Sequence, residues 1–257
     1  MNEEYAEKRR ILSLEDGFRF SCHNEIPCFN TCCADINIFL MPYDILRMRK
    51  ATGFSSGEFL KEYTISLLAE EGLPLVVLKM MEDKNKVCPF VTFDGCKIYQ
   101  DRPWSCRMYP VFPAPSGEQG FVIKEGESCL GCKEEKLWTL EGWKKDQGID
   151  LYDKMNGSYE EITLHDYFLK GNKLDPEMSK MLYMACYDLD EFKRFIFETR
   201  FFDINDMERE LIERIKENEV ELLNFGYKWV RSNLLGEDTL RLNYGVFDSI
   251  LNADSKI

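Results

Sequence analysis

The sequence predicts an α+β chain in two parts: an irregular, metal-organised cysteine-rich region of short strands and helices, packed against a helical C-terminal region. Three observations predict it. Nine of the ten cysteines fall between Cys22 and Cys132, and only Cys186 follows. The same stretch is punctuated by prolines and turn dipeptides that forbid long helices. Beyond about residue 137, apolar residues recur at three-and-four spacing. The expected division is 1–136 for the cysteine cluster and 137–257 for the helical region, the two sharing one core.

The elements follow in order. Cys22, Cys28 and the Cys32-Cys33 doublet lie in a turn-rich run, after which Ile36, Ile38 and Leu40 alternate as a short strand would. Pro42 suits the first turn of a helix that ends near Gly53. Ser55 with Glu58 is a capping-box pattern for a helix carrying Phe59, Leu60 and Tyr63. Leu75 to Leu78 reads as a strand. Asp94-Gly95 is a tight turn before Cys96, while Pro89, Pro103, Pro110 and Pro113 keep that stretch free of long helices. Phe121, Val122 and Ile123 form a short strand leading to Cys129 and Cys132. Thr139 caps a short helix ending at Gly148. Asp175-Pro176 opens an amphipathic helix whose apolar face runs from Met178 through Cys186 to Ile196. A further helix is expected from near Asn205, with Glu208 in capping-box position, through to Val230.

A net charge of -13, with 33 basic against 46 acidic residues, disfavours a general nucleic-acid partner, whose phosphates such a surface would repel. The first residues are charged throughout, with no signal-peptide core, and no stretch reaches the length needed to span a bilayer. The expectation is a cytoplasmic protein with no membrane contact, in a compartment that keeps thiols reduced. A disulfide framework suits small secreted chains that lack a core. This chain is large and rich in aromatics, with 18 Phe, 12 Tyr and 4 Trp. Clustered cysteines then point to metal.

Sulfur ligation needs thiolates brought to one place from turns that wrap the ion, and the metal in turn supplies folding free energy to a region short of regular structure. The candidate ligands are Cys22, Cys28, Cys32, Cys33, Cys88, Cys96, Cys106, Cys129 and Cys132. Adjacent Cys32 and Cys33 cannot easily serve one tetrahedral ion, but can face two centres or two irons of one cluster. Only Cys129-Cys132 has the CxxC form of a zinc knuckle, and the CxxxCxxC pattern of radical enzymes that use S-adenosylmethionine is absent. Cys186, on an apolar helix face, reads as core packing. His23 is a possible nitrogen ligand beside Cys22, and His165 reads as surface or core. Arg102 and Arg107 suit charge compensation for thiolates, or packing on Trp104 or Tyr109.

Together these residues resemble a known family. A Phe-x-Cys start, the Cys32-Cys33 doublet, an extended run into Pro42-Tyr43-Asp44, and then CPF, GC-x-IY-x-DRP-x-x-CR-x-YP between Cys88 and Pro110 are similar to the YkgJ-type cysteine-cluster proteins, described as zinc- or iron-chelating. The resemblance spans roughly Phe18 to Cys132. It carries the family core onto Cys22, Cys28, Cys32, Cys33, Cys88, Cys96 and Cys106, with Cys129 a further member. The usual first group is CxxCxxCC, whereas here it is CxxxxxCxxxCC. A related core in flagellin lysine-N-methylases is associated with an iron–sulfur cluster, which tilts the expected cofactor toward iron–sulfur, [4Fe–4S] favoured, with zinc the alternative.

Three functions are open at this level. The first is a protein holding one or two iron–sulfur clusters for electron transfer, metal handling or maturation of a protein partner. The second is a structural zinc module for interaction. The third is an enzyme related to protein lysine methyltransferases, against which the chain offers no glycine-rich nucleotide-type signature and no nucleophile–base pair.

Overall fold

The computed structural model describes residues 10–82, 85–115, 118, 120–123, 129–205, 207–238 and 240. The architecture is α+β with a helical C-terminal region, as expected, and the part of that region beyond residue 240 lies outside the described residues. Two compact units are present, each assembled from separated segments: 1–39 with 78–154, and 40–77 with 155–257. All nine clustered cysteines belong to the first unit.

The first unit is stitched by short antiparallel pairings between distant parts of the sequence. The strand Phe121–Ile123 lies between Ile11–Leu12 and Val111–Pro113. Gly17–Arg19 pairs with Leu137–Thr139, setting Phe18 opposite Trp138. Val91–Thr92 and Gly95–Cys96 form a hairpin at the expected turn, with Cys96 opposite Val91, Gly95 opposite Thr92, and Phe93-Asp94 rather than Asp94-Gly95 between the strands. Gly95 follows the turn at φ +114, a conformation open chiefly to glycine. Beneath these strands Phe18, Phe20, Met108, Leu140, Trp143 and Ile149 form an apolar core. Phe20 and Trp143 meet edge to face at 5.3 Å. The only α-helix between the first and last clustered cysteines of this unit, among the described residues, is the five-residue Trp104–Met108.

In the second unit, Pro42–Thr52 ends at Gly53 in the left-handed conformation and Ser56–Tyr63 starts from the Ser55–Glu58 capping box, both as expected. Ile38 and Leu40 are buried on alternate positions, and the backbone there reaches the strand Pro74–Leu78 through hydrogen bonds from Leu40 to Val76 and from Leu78 to Ile38.

Two long helices expected from periodicity are each divided. The first becomes Pro176–Cys186 and Leu189–Glu198, because Asp188 leaves the helix to cap the next one and to accept the Ser56 hydroxyl at 2.6 Å. The second, expected from near Asn205, starts instead at Arg209, with Glu208 at its N-cap making no side-chain cap, and becomes Arg209–Glu217 and Glu219–Asn233, preceded by the separate short helix Phe201–Ile204. Asn205 closes a helix there, its amide donating to the Phe201 carbonyl, and Asn218 caps the last helix by accepting from the Val220 and Glu221 amides. Apolar spacing runs through such breaks unchanged. Polar caps make the breaks. Helices Pro176–Cys186 and Glu219–Asn233 approach closely at Gly226, where a Cβ would lie 2.3 Å from the Ala185 carbonyl oxygen.

Candidate metal centre

None of the ten cysteines forms a disulfide. Of the nine clustered thiols, Cys106 is carried by the helix Trp104–Met108 and the others by turns, short 3-10 helices and one strand end of the first unit; two groups of neighbours stand out, around Cys22 and around Cys33.

The first set gathers around Cys22. The chain at 20–22 runs beside the turn after Cys129, with the Ser21 amide donating to the Gly131 carbonyl at 3.0 Å and the Phe20 amide to Lys136 at 2.9 Å. Gly131 is required by this approach, since a Cβ there would lie 2.7 Å from the Ser21 oxygen. The Leu130 amide donates to the Cys28 sulfur at 3.3 Å. Cys22 as a residue is exposed, yet its thiol is crowded: loss of water, and then the Cys32, Cys28 and Cys129 thiolates, push its pKa up to about 11. Cys132 lies on the same turn as Cys129, its amide donating to the Cys129 carbonyl at 3.2 Å.

The second set gathers around Cys33. The Cys88 amide donates to the Cys33 carbonyl at 2.8 Å, which fixes the Cys32-Cys33 turn against the Cys88 loop. A hydrogen bond with Cys32, burial, and the charges of Cys32, Cys88 and Cys106 all raise the Cys33 pKa. Burial also raises Cys88 and Cys96. Backbone amides pull both back: Phe90 and Val91 at Cys88, Ile98 at Cys96. Arg102 attracts Cys96 and Cys106. Cys32 thus acts on Cys22 and is hydrogen-bonded to Cys33, so it belongs to both groups of neighbours.

Arg102 and Arg107 are both 7% exposed. Arg107 donates to the carbonyls of Arg102, Gln147 and Gln100, and its guanidinium lies over the Tyr152 ring. Arg102 donates to the Tyr99 carbonyl and the Gln147 side chain, stacked on Tyr99 at 3.7 Å. These donors are aimed inward at backbone, so the pair latches the 99–107 loop in place of gripping an external anion. Neither arginine has a carboxylate partner among the described residues. Buried guanidinium without a counter-charge is costly, and the acidic groups that act on Arg102 are the Tyr99 phenol and then the Cys106 and Cys96 thiols.

Several contributors were not legible as site residues. Tyr109 hydrogen-bonds Cys129 and feels Cys32 and Cys132; its place in the CR-x-YP motif was the available signal. The amides of Leu130, Phe90, Val91 and Ile98 act through backbone, which sequence does not display. His23 is turned to carboxylates, with Nε2 3.4 Å from Glu134 and Nδ1 3.9 Å from Glu25. His165 caps the Asp166–Leu169 helix and meets Glu237 at 3.0 Å in the other unit. Cys186 is fully buried there, and burial raises its pKa, as a packing residue's would be.

The donor chemistry fits a thiolate-bound metal. Amide N–H groups point at the Cys28, Cys88 and Cys96 sulfurs and stabilise the ionised form, and the buried cation Arg102 lies near Cys96 and Cys106. Among the described residues no three His, Cys, Asp or Glu side chains are already closed on one ion.

Nine thiols outside any disulfide, gathered on the short elements and turns of one unit, define a polythiolate cysteine-cluster domain. Residues 21–133 match the family model described as "CxxCxxCC: Putative zinc- or iron-chelating domain", the family that the motifs resemble. The chain therefore carries a metal-binding cysteine-cluster domain. No curated protein and no solved structure matches the chain. Among the described residues no helix is long and apolar enough to cross a membrane.

Proposed function

We propose that the chain holds two iron–sulfur centres, one on Cys22, Cys28, Cys32 and Cys129, with Cys132 beside them, and one on Cys33, Cys88, Cys96 and Cys106, and serves metal handling or electron transfer for a protein partner in the cytoplasm. What supports the reading is that nine thiols outside any disulfide lie in one unit, with Cys22 acted on by Cys32, Cys28 and Cys129 and Cys33 by Cys32, Cys88 and Cys106. All-thiolate sets suit soft-metal centres, whereas hydrolytic zinc sites keep a position open for water and mix in histidine or carboxylate. His23 facing Glu134 supports an all-sulfur set.

A bound iron–sulfur centre would supply reversible one-electron chemistry. The residues of this chain hold and tune it: Arg102 opposes the negative charge at Cys96 and Cys106, Tyr109 donates to Cys129, and the amides of Leu130, Phe90, Val91 and Ile98 donate to sulfur. Such donors raise reduction potentials by stabilising the more anionic state. Anaerobic purification followed by iron, acid-labile sulfide and zinc analysis tests the reading. Iron and sulfide with a visible band bleached by dithionite are expected. Stoichiometric zinc without iron or sulfide would replace it with the structural-zinc module.

A further inference from the structure

We propose that two copies of this chain pair through the strand Thr64–Leu68, antiparallel about a two-fold axis at Leu67, to form a weak, reversible dimer.

The strand is an open edge. It forms a two-stranded sheet with Pro74–Leu78. At the turn between them the Ala69 amide donates to the Leu73 carbonyl at 2.9 Å, and the Gly72 amide to the Ala69 carbonyl at 3.0 Å. Continued along the ladder, this register makes Leu67 with Leu75 and Ile65 with Val77 the hydrogen-bonded pairs. The backbone groups of Ser66 and Leu68 therefore face the other way, where no strand lies among the described residues. The second strand obeys the same alternation, since Val76 gives its carbonyl to Leu40 on the far side.

A row of open N–H and C=O groups is a template for one more strand. Protein edges are usually guarded by Lys, Pro or a bulge, and Thr64–Leu68 contains no proline and no charged residue. Its side chains are bare as well: Ile65 is 48%, Leu67 52% and Leu68 64% exposed, while Val76 and Leu78 are buried.

The strand complements itself. Pairing centred on Leu67 lets Ser66 and Leu68 exchange both hydrogen bonds with the partner's Leu68 and the partner's Ser66, so every open group of the two residues is used. Leu67 then faces the partner's Leu67 in a non-hydrogen-bonded pair, the kind whose side chains lie closer. The far edge of Pro74–Leu78 is already taken by the chain at Ile38 and Leu40, so pairing stops at two copies.

Charge and area set the strength. Each copy carries a net charge of -13, and like-charged copies repel. The strand itself is uncharged, and Glu70 just beyond it is held by Lys173 at 2.7 Å. A five-residue pairing covers well under the ~800 Å² per partner of a standard interface, which places Kd at about 10–100 μM. Added salt screens the repulsion and tightens the dimer. A basic partner protein on the same edge would show the opposite salt dependence.

The test is sedimentation equilibrium of the full-length chain under reducing conditions, across concentrations spanning that Kd. Mass should rise from 30.3 kDa to twice that value. Leu67→Lys sets two ammonium groups together across the axis, and Leu68→Pro deletes an open N–H while sparing the bonds to Pro74–Leu78. Each should weaken the dimer by roughly tenfold or more. Leu75→Lys, on the same face but one strand in from the edge, should keep it. Hydrogen exchange at the Ser66 and Leu68 amides should slow as concentration rises, with Ile65 and Leu67 unchanged.

Monomer at every concentration and salt, or a dimer indifferent to both Leu67→Lys and Leu68→Pro, would overturn the proposal. Equal damage from Leu75→Lys and Leu67→Lys would overturn edge pairing in favour of stacked sheet faces. Where a variant shifts the urea midpoint of the monomer, the exchange pattern of the wild type decides.

Discussion

The amide of Leu130 donates a hydrogen bond to the sulfur of Cys28 at 3.3 Å, although the two lie 102 residues apart. This contact ties the last cysteine group to the first. It depends on the Ser21–Gly131 backbone bond beside it, which sets the two segments edge to edge. The site is therefore a product of pairing between distant turns, and the predictions follow from where that pairing is tight.

Gly131→Ala would place a Cβ 2.7 Å from the Ser21 oxygen and 3.0 Å from the Phe20 ring. Backbone cannot yield as a flexible side chain does, so the cost should be about 1–3 kcal/mol, read as a lower urea midpoint, together with reduced metal content per chain. Gly157→Ala, where nothing lies within 4 Å of the new Cβ in a helix, should instead stabilise by roughly 0.5–1 kcal/mol. Equal midpoints for the two variants would refute the close-approach argument.

Arg102→Gln removes the cation that faces Cys96 and Cys106. Metal affinity of the Cys33 set should fall by about tenfold to a hundredfold, the range for a charge-assisted contact. Arg102→Lys should recover only part of it, because an ammonium cannot reproduce the fork that reaches both Tyr99 and Gln147. Competition with a chromophoric chelator measures both. Because burial of the guanidinium carries its own cost, the metal-free protein should lose less stability than the loaded one.

Cys22 in the folded chain is held at about 11 against an ordinary 9.0, and Cys33, Cys88 and Cys96 are raised as well. The folded state thus keeps protons that the unfolded state gives up, so stability falls with rising pH. This contribution is fully present below pH 9.0 and is lost as pH climbs through about 11. Urea midpoints of metal-free protein should decline across that window. Loaded protein, whose ligating thiols are already ionised, should show a shallower decline, and matching slopes would count against thiolate ligation.

Cys186→Ser puts a hydroxyl at a fully buried position in the helical unit. A loss of about 1–3 kcal/mol is expected, with metal content per chain unchanged. Elemental analysis showing metal loss in this variant, while Cys106→Ser retains it, would reverse the assignment of core and site cysteines.

Much of the local structure was legible. Pro42 and Gly53, Ser55 and Glu58, Asp94-Gly95, Thr139 and Asp175-Pro176 each mark a turn or cap through chemistry confined to a few neighbouring residues, and each element begins or ends there. The breaks at Asp188 and Asn218 were missed because apolar periodicity continues across them. Asp188 is drawn off by Ser56, a partner 132 residues away.

By itself the sequence determined that nine thiols are concentrated in one turn-rich stretch, that the motifs of this stretch resemble a zinc- or iron-chelating family, and that the chain's last part is helical. These are properties of composition, spacing and short-range capping. Only the tertiary structure decided which thiols act on one another, with Cys32, Cys28 and Cys129 around Cys22, and Cys32, Cys88 and Cys106 around Cys33. Only it turned Arg102 and Arg107 inward onto backbone carbonyls, and drew 137–154 into the unit of the cysteines and 40–77 into the other. Spacing fixes which residues can reach a common point. Which of them share it depends on strand pairing and backbone hydrogen bonds between segments about a hundred residues apart, and those have no local signature.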